Sequence, residues 1–383
     1  MKIFSQSLVR IFTPLCILAC LAGATAGRSA AAPKPEFRTV TISNIEPRRD
    51  TTGAIVDAHD GCVIFANGRY YLYGTAYGKS AGYSINNRFR VYSSPDLEHW
   101  TFEGELLKSP PDGVHYDPSV VYNPRTHKYV LWYNWYPKLW DGLVGVAVSD
   151  TPVGPFTIVN THVQVTQAGE RPGAGTLFVD DDGTGYYIYT AIAQDHAVRV
   201  ERLTSDFLGS RGQVSDVLAR GCEATSMFKQ DGHYYALFDK TCCFCKTGSG
   251  ARVYVADAPL GPYAEKPNIN RLADQTPIVA GQQASIAMIP TPGGAALIWI
   301  ADRWGSRPDG VKGHDFQFWS TPLRFDHDGN IVPIENTPQW SLSVRVYTGH
   351  FSHSKKPYIW PKKKDPNPLT IDPCTRGPLA PEE

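Results

Sequence analysis

Short apolar runs alternate along the chain with tight clusters of Gly, Pro, Asn and Asp, and no long stretch carries the apolar spacing of an amphipathic helix. The runs are rich in Tyr, Val, Ile and Phe, the residues that suit pleated, half-buried strands. Aligned on their turns they form a repeat, whose first half is an apolar strand, a polar turn and a Tyr-rich strand. Its copies are Cys62–Phe65 with Arg69–Tyr73, Pro118–Tyr122 with Lys128–Tyr133, Gly175–Val179 with Gly185–Tyr189, Ala224–Phe228 with His233–Phe238, and Ala284–Ile289 with Ala295–Ile300. The turns between them are Ala66-Asn67-Gly68, Asn123–His127, Asp180–Gly183, Gln230–Gly232 and Thr291–Gly294.

The second half of each unit is a strand leading to a Ser/Asp-Pro turn and an aromatic, as in Phe89–Trp100, Val144–Pro152, Ala251–Pro259 and Phe316–Pro322. Four strands per unit, recurring every roughly 50 to 60 residues, are the mark of propeller blades, so the expected fold is all-β, a five-bladed β-propeller. The units run from about residue 58 to 335, with the propeller domain taken as residues 27–345 and a Pro- and Lys-rich tail over 346–383. The early strand Phe37–Ile42 is expected to close the ring by joining the last blade.

Charge removes some partners from consideration. Lys+Arg and Asp+Glu are equal at 37 each, so no net field draws the chain to nucleic acid or an anionic membrane. Residues 1–26 read as an export signal: Lys2 and Arg10, an apolar run Ile11–Leu21 too short for a span, then Ala24-Thr25-Ala26. The chain is therefore expected outside the cytoplasm, secreted or periplasmic, as a monomer. Cys20 fits a lipid-anchor motif poorly, because Leu18 stands where that motif differs. Export makes disulfides the default for Cys62, Cys222, Cys242, Cys243, Cys245 and Cys374. Cys242–Cys245 is a CxxC without the second pair that a zinc site needs. The plentiful aromatics, 9 Trp and 20 Tyr among them, suit both a packed core and a sugar-stacking surface.

In a propeller the first strand of each blade lines the channel, and the residues at its start face the mouth. These are His59 and Asp60, Asp117, Glu170 and Arg171, Glu223, and Gln282 and Gln283, with acidic groups entering at what read as equivalent positions. Each alone is explained by a turn cap or a water-bridged carboxylate; the set points to chemistry. Glycoside hydrolysis needs two carboxyl groups, one kept protonated for the leaving oxygen and one ionised to activate water or attack the sugar. Asp60, Glu223 and Asp117 supply those types, and neighbouring carboxylates hold a proton on the acid by repulsion. Asp180–Asp182 read as a hairpin turn rather than a metal site.

These segments resemble glycoside hydrolase family 43 over all five blades. Ala58–Tyr73 is similar to the family's first-blade segment, which puts the catalytic base on Asp60. Cys222–Tyr235 is similar to the segment carrying the general acid, which puts that role on Glu223. His59, Met227-Phe228-Lys229, Gln283, Asp302-Arg303-Trp304 and Pro322–Gly329 resemble the exo-β-1,3-galactanases most closely. In that subgroup a Gly usually replaces the base Asp and a blade-five Gln takes its place; here both Asp60 and Gln283 are present, and Gln283 would then position the sugar. A second departure is Ala174, where the family carries the Asp that tunes the acid. Asp117 or Glu170 could replace it.

The resemblance implies inversion, with the carboxyls about 6.5–9.5 Å apart. Trp304, Trp135 and Trp140 are candidates for stacking on sugar, and His59, Arg303 and Arg171 for binding its hydroxyls. The resemblance also brings a candidate Ca²⁺ in the channel, with His314 or His59 as a ligand. The expected function is an exported glycosidase of plant-type polysaccharide side chains, exo-acting on β-1,3-galactan. A catalytically impaired sugar-binding propeller and an arabinofuranosidase or xylosidase are the alternatives. A sialidase-like propeller fits worse, since it needs six blades and an Arg triad.

Overall fold

The computed structural model describes residues 34–165, 169, 171–348 and 375–376, and builds them almost wholly from strands. β1 (Lys34–Ser43) precedes the first blade, which holds β2 (His59–Ala66), β3 (Arg69–Ala76), β4 (Arg88–Ser94) and β5 (Thr101–Glu105). β6 (Val114–Asn123), β7 (Lys128–Tyr136), β8 (Leu143–Ser149) and β9 (Thr157–Asn160) form the second. The third is β10 (Pro172–Val179), β11 (Gly185–Ala191), β12 (Ala197–Leu203) and β13 (Ser210–Val214). The fourth is β14 (Cys222–Gln230), β15 (His233–Lys240), β16 (Arg252–Ala256) and β17 (Ala264–Lys266). The fifth is β18 (Gln282–Thr291), β19 (Gly294–Arg303) and β20 (Phe316–Trp319), followed by β21 (Gln339–Thr348) and the two-residue β22 (Thr375–Arg376) beside β18. Each blade is a meander in chain order, and among the described residues the only helical elements are two 3₁₀ turns. This is the five-bladed propeller that the repeat predicts.

Burial falls from the axis outward. Every residue of β2 is buried, whereas the outer β5 has none buried. The continuous apolar runs of the inner strands follow from this, because they pack on both faces between neighbouring blades. The first hairpin shows the turn logic: Ala66 pairs with Arg69 across Asn67-Gly68, both at positive φ (49° and 74°), the Asn-Gly turn that matches strand twist. Asp180–Asp182 also form a hairpin turn. The Gly183 N–H donates to the Asp180 carbonyl, and Asp180 pairs with Lys229.

Ring closure differs in detail from the expectation. β1 pairs antiparallel with β21 over Lys34↔Thr348 to Ser43↔Gln339, and this ribbon packs in the seam between blades five and one. Val40, Ile42 and Val344 share a core there with Val63, Leu72, Ile298 and Trp319. The ribbon reaches blade five through a side chain: Asn44 donates to the Trp319 carbonyl (2.9 Å) and accepts from its N–H (2.8 Å). β21 continues past residue 345. The signal segment and most of the tail, with Cys20 and Cys374, lie outside the described residues.

All five inner strands carry a register shift near the start, at His59/Cys62, Tyr116/Ser119, Pro172/Gly175, Glu223/Ser226 and Gln283/Ser285. Such bulges re-aim side chains and often flank active sites. Gly61 sits in the first one, where an added Cβ would lie 1.6 Å from the Tyr73 carbonyl oxygen. Asp60 and Asp117 occupy the left-handed bulge position (φ 39° and 59°), a conformation that Asp tolerates. In blade four Ala224 takes that position, and Glu223 is the residue before it. Glu223 therefore matches His59 and Tyr116 in register. It is not equivalent to Asp60 and Asp117, as the sequence reading had placed it.

Candidate active site

Asp60 is held from three directions. Its Oδ2 accepts from Thr75 Oγ1 (3.1 Å) and from the Tyr77 hydroxyl (3.0 Å), with the Asp117 N–H at 3.4 Å. Its own N–H donates to Asp302 Oδ2 at 2.7 Å, from the neighbouring fifth blade. Burial and the charges of Asp60 and Asp117 raise the Tyr77 phenol well above its usual range, so it stays a donor. Asp57 accepts the N–H groups of Tyr77 and Gly78 (2.9 and 2.8 Å) and so fixes the loop that carries this tyrosine.

His59 completes the blade-one arm. Its Nδ1 meets Asp302 Oδ1 at 3.0 Å and its Nε2 the Gly313 carbonyl at 3.3 Å. Burial alone would lower its pKa, but the hydrogen bond and charge of Asp302, with Asp57 and Asp60, raise it to about 9. At neutral pH it is an imidazolium donating from both nitrogens. Both ring nitrogens of His59 are thus engaged by protein oxygens, and Ca²⁺ prefers oxygen ligands. His314, the other histidine named for a channel Ca²⁺, has its Nδ1 2.7 Å from the exposed Asp309 carboxylate.

Glu223, fully buried, starts the inner strand of blade four. Thr176 Oγ1 donates to the Thr225 carbonyl (2.8 Å) and Thr190 Oγ1 to the Cys222 carbonyl (2.7 Å), clamping this strand to blade three. Glu223 Oε1 accepts from Gln282 Nε2 at 3.0 Å and from the Cys242 backbone N–H. Gln282 Oε1 in turn accepts from the Trp304 indole N–H at 2.6 Å. The two arms meet through tyrosines. The Tyr136 phenol is raised first by burial, then by the charges of Asp117 and Glu223 among others, while Tyr77 feels Asp60 and Asp117.

The structure thus gathers His59, Asp60, Asp117, Glu223 and Trp304. Gln283 has other duties: its Nε2 donates to the Ala224 and Leu237 carbonyls, and its Oε1 accepts from Trp299 Nε1 (3.0 Å). The glutamine beside Glu223 is Gln282. Arg303 points away, as strand alternation demands once Asp302 points in, and lines a separate groove of about 410 Å³ with Asn44, Ile45 and Phe316. Arg171 is exposed at the start of blade three. Trp135 stacks on His115 and donates to the Thr161 carbonyl (2.8 Å), and Trp140 packs on Tyr83 and Tyr136. Glu170 lies outside the described residues. The sequence reading missed Asp302, Asp57, Thr75 and Tyr77. Asp302 stood inside a quoted motif, but nothing in one sequence says which of Asp302 and Arg303 faces inward.

Five blades around carboxyl groups from blades one, two and four define a propeller of the glycoside-hydrolase type. The profile of "Glycosyl hydrolases family 43" matches residues 54–304, and the chain belongs to that family. It is 30% identical over 219 residues to a β-D-galactofuranosidase of Aspergillus niger, covering 52% of this chain and 61% of that protein. It is 28% identical over 249 residues to an arabinoxylan arabinofuranohydrolase of Paenibacillus polymyxa, covering 54% of this chain and 38% of that one. The chain thus matches less than two thirds of the length of either relative. Among solved structures, a family-43 β-1,3-galactosidase bound to galactodeoxynojirimycin superposes with a TM-score of 0.67 at 25% identity, covering 78% of this chain and 99% of that one. An exo-β-1,3-galactanase of Phanerochaete chrysosporium shares the fold, with a TM-score of 0.66 at 22% identity over 80% of this chain and 69% of that one.

Proposed function

We propose that the chain is an exported glycosidase that removes terminal galactosyl units from β-1,3-linked galactan with inversion, Asp60 activating water and Glu223 protonating the leaving oxygen. The observation that carries this is the pair of separately held carboxyls: Asp60 amid donors on blade one, Glu223 on Gln282 and the Cys242 N–H in blade four. Hydrogen bonds to a carboxylate favour its charged form, which suits Asp60 as a base. Asp117 supplies the second negative charge that Ala174 cannot. Asp117 and Glu223 both raise the Tyr136 phenol, and we assign to Asp117 the task of tuning the acid. Galactose as the sugar is supported by the galactose-directed names among the solved relatives. We read Cys242–Cys245 as a disulfide, in keeping with export.

The test is sugar release from β-1,3-galactan, arabinan and aryl glycosides of galactose, arabinose and xylose. Wild type should release galactose, and Glu223→Gln should lower kcat by about 10²–10⁴-fold, the usual worth of a general acid. A second reading, a binding propeller, is favoured by Ala174. Binding without release by wild type would select it.

A further inference from the structure

Phe244 stands on the loop between β15 and β16, in the left-handed region (φ 57°). Its ring meets Tyr77, Tyr83 and Trp304 edge-on, with centroids 5.3, 5.2 and 5.0 Å away. The Lys312 ammonium lies 4.0 Å from its centroid and 4.3 Å from that of Trp304. The fit is close enough that a Cβ on Gly82 would come within 2.5 Å of the ring.

The neighbours of this ring are the supports of the two carboxyls. Tyr77 donates to Asp60, and Trp304 holds Gln282, which holds Glu223. Cys242, on the same loop as Phe244, gives Glu223 its backbone N–H. Phe244 therefore lies between the base arm and the acid arm, where a reacting sugar must bind. Close by, the buried Tyr83 hydroxyl has no hydrogen-bond partner, the buried Tyr116 and Tyr136 hydroxyls have only each other, and Tyr83 packs on Phe244 and on both other rings. Buried hydroxyls without partners are rare and ask for an explanation; a polyhydroxylated ligand is one.

We propose that Phe244 occupies the place of the terminal sugar, and that the 241–250 loop is a gate which the substrate displaces. The inference rests on the glycosidase reading above. With the loop closed, an aromatic ring fills a cage of aromatic faces that a sugar's C–H face would also use. The Cys242 N–H also favours the ionised form of Glu223, the wrong form for a proton donor. Displacement of the loop frees the cage, withdraws that N–H from the acid, and leaves the three tyrosine hydroxyls to the sugar. Gly248 and Gly250, both at positive φ (80° and 103°), give the loop's end a backbone that other residues rarely adopt.

The test uses the full chain carrying Glu223→Gln, so that binding is read without turnover, titrated calorimetrically with galactose, arabinose and xylose. If the closed gate is the dominant state, Phe244→Ala should bind its sugar about tenfold or more tighter, because a ligand selecting a minor state loses affinity by that state's fraction. Tyr83→Phe should bind more weakly with an unchanged or raised melting temperature, since it removes only a buried hydroxyl without a partner. In the Glu223→Gln protein, saturating sugar should speed alkylation of Cys243, read by peptide mass spectrometry. Equal or weaker binding by Phe244→Ala makes Phe244 a wall of the sugar site and overturns the gate. So does unchanged Cys243 alkylation under saturation, or the absence of binding by every variant. Failure of the glycosidase reading shows separately, as wild type releasing no sugar.

Discussion

Asp302→Asn tests the support of Asp60, the proposed base, directly. The Asp302 carboxylate spends one oxygen on the Asp60 N–H (2.7 Å) and the other on His59 (3.0 Å), and both partners are buried. His59 is raised from 6.5 to about 9. At 1.36 kcal/mol per unit this shift is worth about 3 kcal/mol of stability. Its sign follows from linkage: a folded pKa above the unfolded one stabilises fully below pH 6.5, and the stabilisation is lost as pH rises through about 9.

Asn keeps the shape of Asp302 but removes the charge that overcomes burial, so His59 in the variant should lose its proton near or below its ordinary value. The stability gap between wild type and variant, from urea unfolding at several pH values, should then be wide below pH 6.5, where the stabilisation is fully present. It should close by about 3 kcal/mol toward pH 9. Arg48, lowered by burial to about 9, and Lys312, lowered by burial to about 8, both owe an upward contribution to Asp302. Losing Asp302 lowers them further, which destabilises the variant below their folded values and costs nothing extra above them, so the gap closes in the same direction. Parallel curves for the two proteins across this range would refute the ion pair and its role in holding Asp60.

The adjacent glutamines should separate cleanly. Gln282→Ala strips a donor from Glu223 and the acceptor from Trp304, and should change the pH profile of kcat with modest loss of stability. Gln283→Ala strands the Trp299 indole N–H and two buried carbonyls, and should cost about 1–3 kcal/mol in urea unfolding, leaving the acidic limb of kcat in place. Gly61→Ala would drive a methyl into the Tyr73 carbonyl, and should lower melting temperature and activity together because the bulge that aims Asp60 cannot form. A Gly61→Ala protein with wild-type melting would refute the bulge argument.

The blades were legible because inner strands buried on both faces read as unbroken apolar runs, and because turns such as Asn67-Gly68 mark where each hairpin reverses. The carboxyls at the strand starts were legible for the same reason: a polar residue opening an apolar run is conspicuous. The finer geometry was not. One bulge per inner strand shifts side-chain direction by one residue, so Asp60 and Glu223 looked equivalent and Gln282 was confused with Gln283. The carboxylate shared by Asp60 and His59, Asp302, lies some 240 positions away in sequence, and no local pattern announces such a pairing. Ring closure was half legible. A spare N-terminal strand was visible, but its pairing with β21 depends on a second spare strand beyond the last blade.

That β1–β21 ribbon sits on the joint that the chemistry uses. The proposed base belongs to blade one and its anchoring carboxylate to blade five, the first and last blades of the ring, whereas every other joint is bridged by continuous chain. The ribbon is thus a clasp, and loosening it would part Asp60 from Asp302 without touching either. Trimming the chain through Asn44 should register first as a misaligned base, in a protein whose other four joints still hold.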